Sequence, residues 1–257
     1  MAALAALEGI EMIWVRSALF NVWFFLVTLV LGLIGIPLRW LLPGGALRLA
    51  QLWSRQVLWG ARWICGVRLE VSGREHLPPA GAALIASQHQ SAFDTIIWLQ
   101  LVPQASYVFK AELARTPLFG PLLVPAGQIP VVRGGGAAVM MAFLEGGQRA
   151  VNAGRQIVLF PEGTRNDSGG EVRLRPGIVM LAQKTGLPIF PVATDSGRLW
   201  GRKAFLKVPG VVHVMIAPAL DATGPVGGVL TAIQHQWRAL HRERDAVDNS
   251  VHQNPVP

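Results

Sequence analysis

Residues 82–95, AALIASQHQSAFDT, set the fold class of this chain. Residues 82–87 are a short apolar run after a Pro-Pro-Ala-Gly turn, the pattern of a buried strand. The run passes without a break into Gln88-His89-Gln90-Ser91-Ala92-Phe93-Asp94-Thr95, and residues 95–102 then carry a helical pattern. A strand feeding a polar turn and then a helix is the building unit of an α/β sheet, and such sheets place their sites past the strand ends.

The same alternation extends outward in both directions. Residues 67–71 alternate and end at Ser72-Gly73, which predicts a first strand. Further strands are expected at 106–109, 129–132, 156–160, 189–192 and 211–216. Helices are expected at 137–153, stopped by Gly154, and at 177–185, with Gly186 in the usual position after a helix end. Residues 228–244 read as a closing amphipathic helix, and the last dozen residues, with Asn249, Asn254, Pro255 and Pro257, are expected to fray. The pattern predicts an α/β fold, a mixed central sheet flanked by helices, over residues 67–245. Residues 1–66 form an N-terminal membrane-associated helical segment and 246–257 a flexible tail. No internal repeat or low-complexity tract interrupts the chain.

Composition agrees. The chain has 257 residues, 51% of them apolar and only 15% charged, so it holds enough apolar side chains for a large core and is not disordered. Its 23 basic and 15 acidic residues leave a net charge of +8. A mean hydropathy of +0.39 is too apolar for an ordinary cytosolic enzyme. The single cysteine, Cys65, excludes a disulfide framework and a cysteine-based zinc cluster. The six histidines show no metal-ligand spacing. An isoelectric point near 10.9 invites a nucleic-acid partner, but the apolar N-terminus and the lack of a basic-aromatic RNA motif argue against one.

The apolar excess lies at the N-terminus. Residues 17–38 are 22 residues without a charge, between Arg16 and Arg39. As a helix they extend roughly 33 Å, enough to cross a hydrocarbon core. A secretory signal has a shorter apolar region followed by a small-x-small cleavage site, and neither fits. Gly32, Gly35 and Pro37 are expected to bend or stop the helix. In residues 46–67, Arg48, Arg55 and Arg62 recur every seven positions with Gln51 between them, within about 60° on a helical wheel. Trp53, Val57 and Ile64 lie opposite, and Leu52, Trp59 and Trp63 border the basic stripe. Six of the nine tryptophans fall in the first 63 residues. The pattern suits guanidiniums at lipid phosphates and indoles at headgroup level. The competing assignment is a helix packed on the globular part with its arginines merely solvated.

Four clusters carry chemistry. His89 and Asp94 are five positions apart, about 140° around a continuous helix, so they meet only if His89 lies in the turn and Asp94 near the helix start. A carboxylate on one imidazole nitrogen fixes the tautomer and leaves the other nitrogen free to take a proton from a hydroxyl. The plain alternative is a satisfied loop histidine beside a helix-capping aspartate. Phe160-Pro161-Glu162-Gly163-Thr164-Arg165 follows another strand, and a glycine beside an arginine there lets backbone N–H groups and a guanidinium approach one anion. By itself it is also compatible with a turn and a surface ion pair. Lys110 and Arg133 stand at further strand ends, where a single cation is usually only solvated. Three cations, Lys110, Arg133 and Arg165, at corresponding ends of three strands point to a phosphate pocket.

Four stretches, in chain order, resemble the blocks of the glycerolipid acyltransferases. His89 to Asp94 is similar to their H-x-x-x-x-D block, Gly127 to Arg133 to G-x-x-x-x-x-R, and Phe160 to Arg165 to F-P-E-G-T-R. Leu187-Pro188-Ile189-Phe190-Pro191-Val192 is similar to their proline-containing fourth block. The blocks cover about residues 65–220. The short bacterial members, which acylate 1-acylglycerol 3-phosphate, resemble the chain in length and in their N-terminal apolar segment. Gln88 stands where many relatives carry asparagine. The resemblance implies that His89 is a general base oriented by Asp94. It implies a substrate-binding set of Gly127, Arg133, Glu162, Gly163, Thr164 and Arg165, to which Lys110 is added here. It further implies no cofactor, a lysophospholipid acceptor and an acyl thioester donor, on acyl carrier protein or coenzyme A, with membrane lipids as surroundings. Direct transfer to the sn-2 hydroxyl of 1-acylglycerol 3-phosphate, giving phosphatidic acid on the cytoplasmic side of a bacterial inner membrane, is the activity it implies. The alternatives are a lyso-ornithine lipid acyltransferase and, in another class, a non-catalytic lipid-binding membrane module. Cys65 is far along the chain from His89 and there is no G-x-S-x-G elbow, so no acyl-enzyme is expected. Ser91 reads as a helix-start residue.

Overall fold

The computed structural model describes residues 2–42, 44–132, 134, 136–165, 172–202 and 204–253. Two helices open the chain, α1 (Ala2–Leu41) and α2 (Gly45–Trp63). They pack antiparallel, with the Trp23 indole donating to Gln56 O at 2.9 Å and the Trp53 indole to Thr28 Oγ1 at 2.9 Å. Then follow β1 (Val67–Ser72), β2 (Ala83–Ser87), α3 (Phe93–Leu101), β3 (Ala105–Lys110), α4 (Gly120–Leu123) and β4 (Ile129–Val131). The rest is α5 (Ala137–Asn152), β5 (Gln156–Leu159), α6 (Gly177–Thr185), β6 (Ile189–Thr194), β7 (Gly210–Ile216) and α7 (Val226–Gln253). Short 3₁₀ turns lie at Arg74–His76, Ala111–Arg115 and Ser196–Arg198.

The seven strands form one mixed sheet in the order β1-β7-β6-β2-β5-β3-β4. Strands β2 to β6 are parallel, while β7 pairs antiparallel with β6 and parallel with β1. Helices cover both faces. Ile85, Phe190 and Val192 join a core with Phe20, Val57, Ala61 and residues of α3. Leu84, Ala86, Ile189 and Ala193 point the other way, into a core with Phe143, Ile178, Leu181 and Trp237. Because β2 and β6 are buried on both faces, they read as continuous apolar runs rather than alternating ones. Each fully buried Leu or Ile there contributes about 1.5–3 kcal/mol relative to exposure.

Two elements differ from the sequence expectation. Helix α1 does not stop at its glycines or at Pro37 but runs on to Leu41. The glycines are contact points instead: a Cβ on Gly32 would lie 2.8 Å from Leu118 Cβ, and one on Gly35 2.7 Å from Leu122 Cδ1. Helix α7 passes Arg244 and reaches Gln253, through most of the expected tail, and residues 254–257 lie outside the described residues. In α2, Arg48, Arg55 and Arg62 are exposed and Val57 and Ala61 fully buried, so its polar and apolar faces separate as the wheel predicts. Among the described residues, Gly9–Leu38 is the one helix long and apolar enough to cross a membrane.

Candidate active site

Sheet order brings the blocks together. Reading across β6, β2, β5, β3 and β4, neighbouring C-terminal ends carry residues 194–197, His89, Glu162 to Arg165, Lys110 and the approach to Arg133. Adjacent parallel strands lie about 4.8 Å apart, so segments distant in sequence become neighbours along one edge. Arg133 itself lies outside the described residues.

The Asp94 carboxylate is fully buried and held on both oxygens. Its Oδ2 accepts the backbone N–H groups of Gln90 and Ser91, each at 2.7 Å, and lies 3.3 Å from His89 Nδ1. Its Oδ1 accepts the Ser196 hydroxyl at 2.5 Å. Asp94 therefore folds back from the first turn of α3 onto the loop that carries His89. Ser91 Oγ accepts the Phe93 N–H at 3.1 Å and starts the helix. With Nδ1–H facing the carboxylate, Nε2 is left with a lone pair to accept a proton. The His89 ring stacks on Phe160, centroids 4.2 Å apart at 23°, and Tyr107 stacks behind Phe160 at 6.4 Å. Burial pushes the Tyr107 hydroxyl well above its usual ionisation range, so this side of the imidazole is a neutral aromatic wall.

The block after β5 divides its residues. Glu162 is buried, and its Oε1 accepts the backbone N–H of His89 at 3.3 Å. Gly163 adopts φ +70°, which reverses the chain, and a Cβ there would lie 2.3 Å from Arg175 Nε. Thr164 is exposed, while Arg165 and Lys110 are half-buried. Gly127 faces a different partner: the Arg155 guanidinium occupies the space of its missing Cβ and donates to Ser106 Oγ at 3.2 Å and Ala126 O at 3.0 Å. Gly127 is thus shaped by a structural cation. Among the described residues, no group of three or more His, Cys, Asp or Glu side chains is placed to hold a metal ion.

A family model for acyltransferases matches residues 68–195, the span that contains every one of these blocks. A 1-acyl-sn-glycerol-3-phosphate acyltransferase of Pseudomonas aeruginosa is 33% identical over 174 residues, covering 68% of this chain and 67% of that protein. The chain belongs to the acyltransferase family. A 1-acyl-sn-glycerol-3-phosphate acyltransferase of Borreliella burgdorferi is 28% identical over 180 residues, 68% of this chain and 70% of its own. The crystal structure of the 1-acyl-sn-glycerophosphate acyltransferase of Thermotoga maritima shares the fold, with a TM-score of 0.69 at 20% identity over 88% of this chain and 97% of that one.

Three features of this acyltransferase escape sequence spacing. Ser196 reaches Asp94 from 102 positions away. Gln88 Oε1 accepts both the Thr194 N–H at 3.1 Å and His241 Nε2–H at 2.8 Å, which ties α7 to the residue before the histidine. Arg175 packs over Gly163, and the sequence signal was available: it is the second of two arginines just before α6.

Proposed function

We propose that this acyltransferase moves a fatty acyl group from a thioester donor to the sn-2 hydroxyl of 1-acylglycerol 3-phosphate, giving phosphatidic acid at a membrane. The observation that carries this is the His89 imidazole set on a buried, fully bonded Asp94 carboxylate, beside a strand-end block whose cations are free to take an anion. Among the described residues, Lys110, Arg165 and Arg175 have no carboxylate partner. Lys110 and Arg165, with Arg133, hold the acceptor phosphate in this proposal, and Gly163 and Thr164 leave it room. Glu162 acts from beneath, by fixing the backbone of His89.

As the acceptor oxygen attacks the thioester carbonyl carbon, His89 Nε2 takes its proton and Asp94 stabilises the imidazolium. Collapse of the tetrahedral intermediate breaks the carbon–sulfur bond, and the departing thiolate recovers the proton from His89. Cys65 is not an intermediate acyl carrier: its thiol is fully buried, and burial pushes its pKa up to about 11. The thioester is a substrate, on acyl carrier protein or coenzyme A. In this proposal the site faces the cytoplasmic side of a bacterial inner membrane, where such donors are found. Membrane residence spares the enzyme the cost of lifting an acyl chain out of lipid, about 0.8 kcal/mol per methylene.

The test is a paired-acceptor assay. Purified protein in vesicles receives labelled thioester with either 1-acylglycerol 3-phosphate or lyso-ornithine lipid, each with both donor types. Label is expected in phosphatidic acid; label only in the aminolipid rejects the acceptor. His89→Ala is expected to lower turnover by about 100-fold or more. Full turnover in that variant removes the base assignment, and no transfer by the native protein to either acceptor leaves a non-catalytic lipid-binding module.

A further inference from the structure

Residues 88–94, which carry the H-x-x-x-x-D block, are gripped by one segment at three points. Residues 194–197 leave the end of β6 beside β2. Thr194 N–H donates to Gln88 Oε1 at 3.1 Å, the Ser196 hydroxyl to Asp94 Oδ1 at 2.5 Å, and Gly197 N–H to Gln90 Oε1 at 3.1 Å. Ser196 N–H in turn donates to Thr194 Oγ1 at 3.2 Å, which closes the segment on itself. The segment is fastened from behind through Asp195. One oxygen of Asp195 accepts His213 N–H at 2.7 Å, and the other faces His213 Nδ1 at 3.0 Å and the Arg244 guanidinium.

Deepening the general-base assignment of His89, on which it rests, we propose that Ser196 is a positioning residue for that base, acting through Asp94. Both side chains are fully buried, so no water competes for the bond. An ionised carboxylate only accepts, so the serine proton lies on the Asp94 side. Two backbone N–H groups tie Oδ2 and the serine ties Oδ1, so the carboxylate plane is pinned at both ends. The His89 contact, at 3.3 Å, is the longest of the four. The imidazole is therefore the least closely held of the four partners of a fixed carboxylate. Ser196 also withdraws part of the carboxylate charge from the ring. Without it, Asp94 rotates more freely and holds the protonated imidazole more tightly. Geometry is lost and proton return to the leaving thiolate slows, while the acceptor and donor sites are untouched.

The test compares the native protein with Ser196→Ala and Ser196→Cys in vesicles, using the acceptor and donor that the paired assay selects. Ser196→Ala is expected to lower kcat about tenfold, with both KM values within about twofold and the acidic limb of the kcat–pH profile moved to higher pH. Ser196→Cys keeps a weak donor and is expected to fall between. Native kcat and an unmoved limb in Ser196→Ala overturn the proposal. So does a loss confined to KM. Should Ser196→Ala fail to fold, Ser196→Cys decides: native kcat overturns, and a lowered kcat with a displaced limb supports. His89→Ala is assayed in parallel. If it keeps turnover, the base assignment fails first; if it loses turnover while Ser196→Ala is native, only the role of Ser196 fails.

Discussion

At the scale of single residues, the block after β5 shows how neighbours in sequence take opposite duties. Gly163 turns the chain at φ +70°, sending Glu162 inward under His89 and leaving Arg165 half-exposed at the site edge. Linear spacing shows that a carboxylate and a guanidinium are three apart but not which way each faces. That is why Glu162 read as an acceptor contact, whereas its Oε1 serves the His89 backbone. Arg165→Ala is expected to raise the KM for 1-acylglycerol 3-phosphate by about tenfold with little change in kcat, since a charge-assisted contact near solvent contributes about 1–2 kcal/mol. Arg165→Lys keeps the charge but loses the two-pronged fork, so it restores part of the affinity. Steady-state kinetics with both variants check this; an unchanged KM in Arg165→Ala would make the arginine structural.

At the scale of elements, α7 is the closing brace, and its hold on the site is titratable. His241 donates Nε2–H to Gln88 Oε1. Burial first, and then the Arg244 charge, pushes its pKa below the usual histidine value, against smaller opposing effects of Asp195 and Asp245. In the unfolded chain the same ring titrates near its reference value, about 6.5. Between the two values the unfolded chain binds more protons, so stability rises with pH across that window and is lost as pH falls below about 6.5. Thermal unfolding midpoints are expected to drop over that range, and His241→Phe is expected to flatten the drop while lowering the midpoint at neutral pH. An identical pH slope in that variant would refute the assignment. Most elements were legible: residues 106–109 became Ala105–Lys110, and 137–153 became Ala137–Asn152. Period and glycine or proline punctuation suffice at that length. The four-residue α4 and the 3₁₀ turns were not legible, because so short a piece has no period. Nor was the strand order, in which β5 inserts between β2 and β3. Residues 194–197 showed no link to His89 in the sequence, because it is this pairing across the sheet that creates the contact.

At the scale of the whole molecule, α1 is long and apolar enough to cross a membrane and also contributes to the core. Phe20 is fully buried and meets Trp200 edge-on at 5.2 Å, whereas Val22 is 67% and Phe25 66% exposed on the far side. Because α1 is apolar all round, hydropathy alone does not separate its exposed face from the face packed on the core. The discriminating signal is polar and small: Ser17, Asn21 and the distant Lys207. The Lys207 N–H donates to Ser17 Oγ at 3.0 Å, and its buried ammonium donates to Asn21 Oδ1 at 2.9 Å and Phe205 O at 2.8 Å. The same ammonium sits over the Trp200 ring at 5.0 Å and the Phe20 ring at 5.4 Å. Burial lowers its pKa, a cost that the oxygens and ring faces offset. Lys207→Met keeps the volume but leaves Asn21 Oδ1 and the Phe205 carbonyl without this donor. It is expected to destabilise the protein by about 1–3 kcal/mol and to make α1 easier to cleave near Gly44 by limited proteolysis. The 89–94 loop and its hydrogen bonds are not touched, so kcat of the molecules that remain folded should stay close to native. A detachable anchor predicts the reverse: an unchanged unfolding midpoint in Lys207→Met, and a folded, soluble protein after removal of residues 1–44. If α1 shares the core, that truncation strips Phe20 and Val27 from buried positions, and the remainder should aggregate.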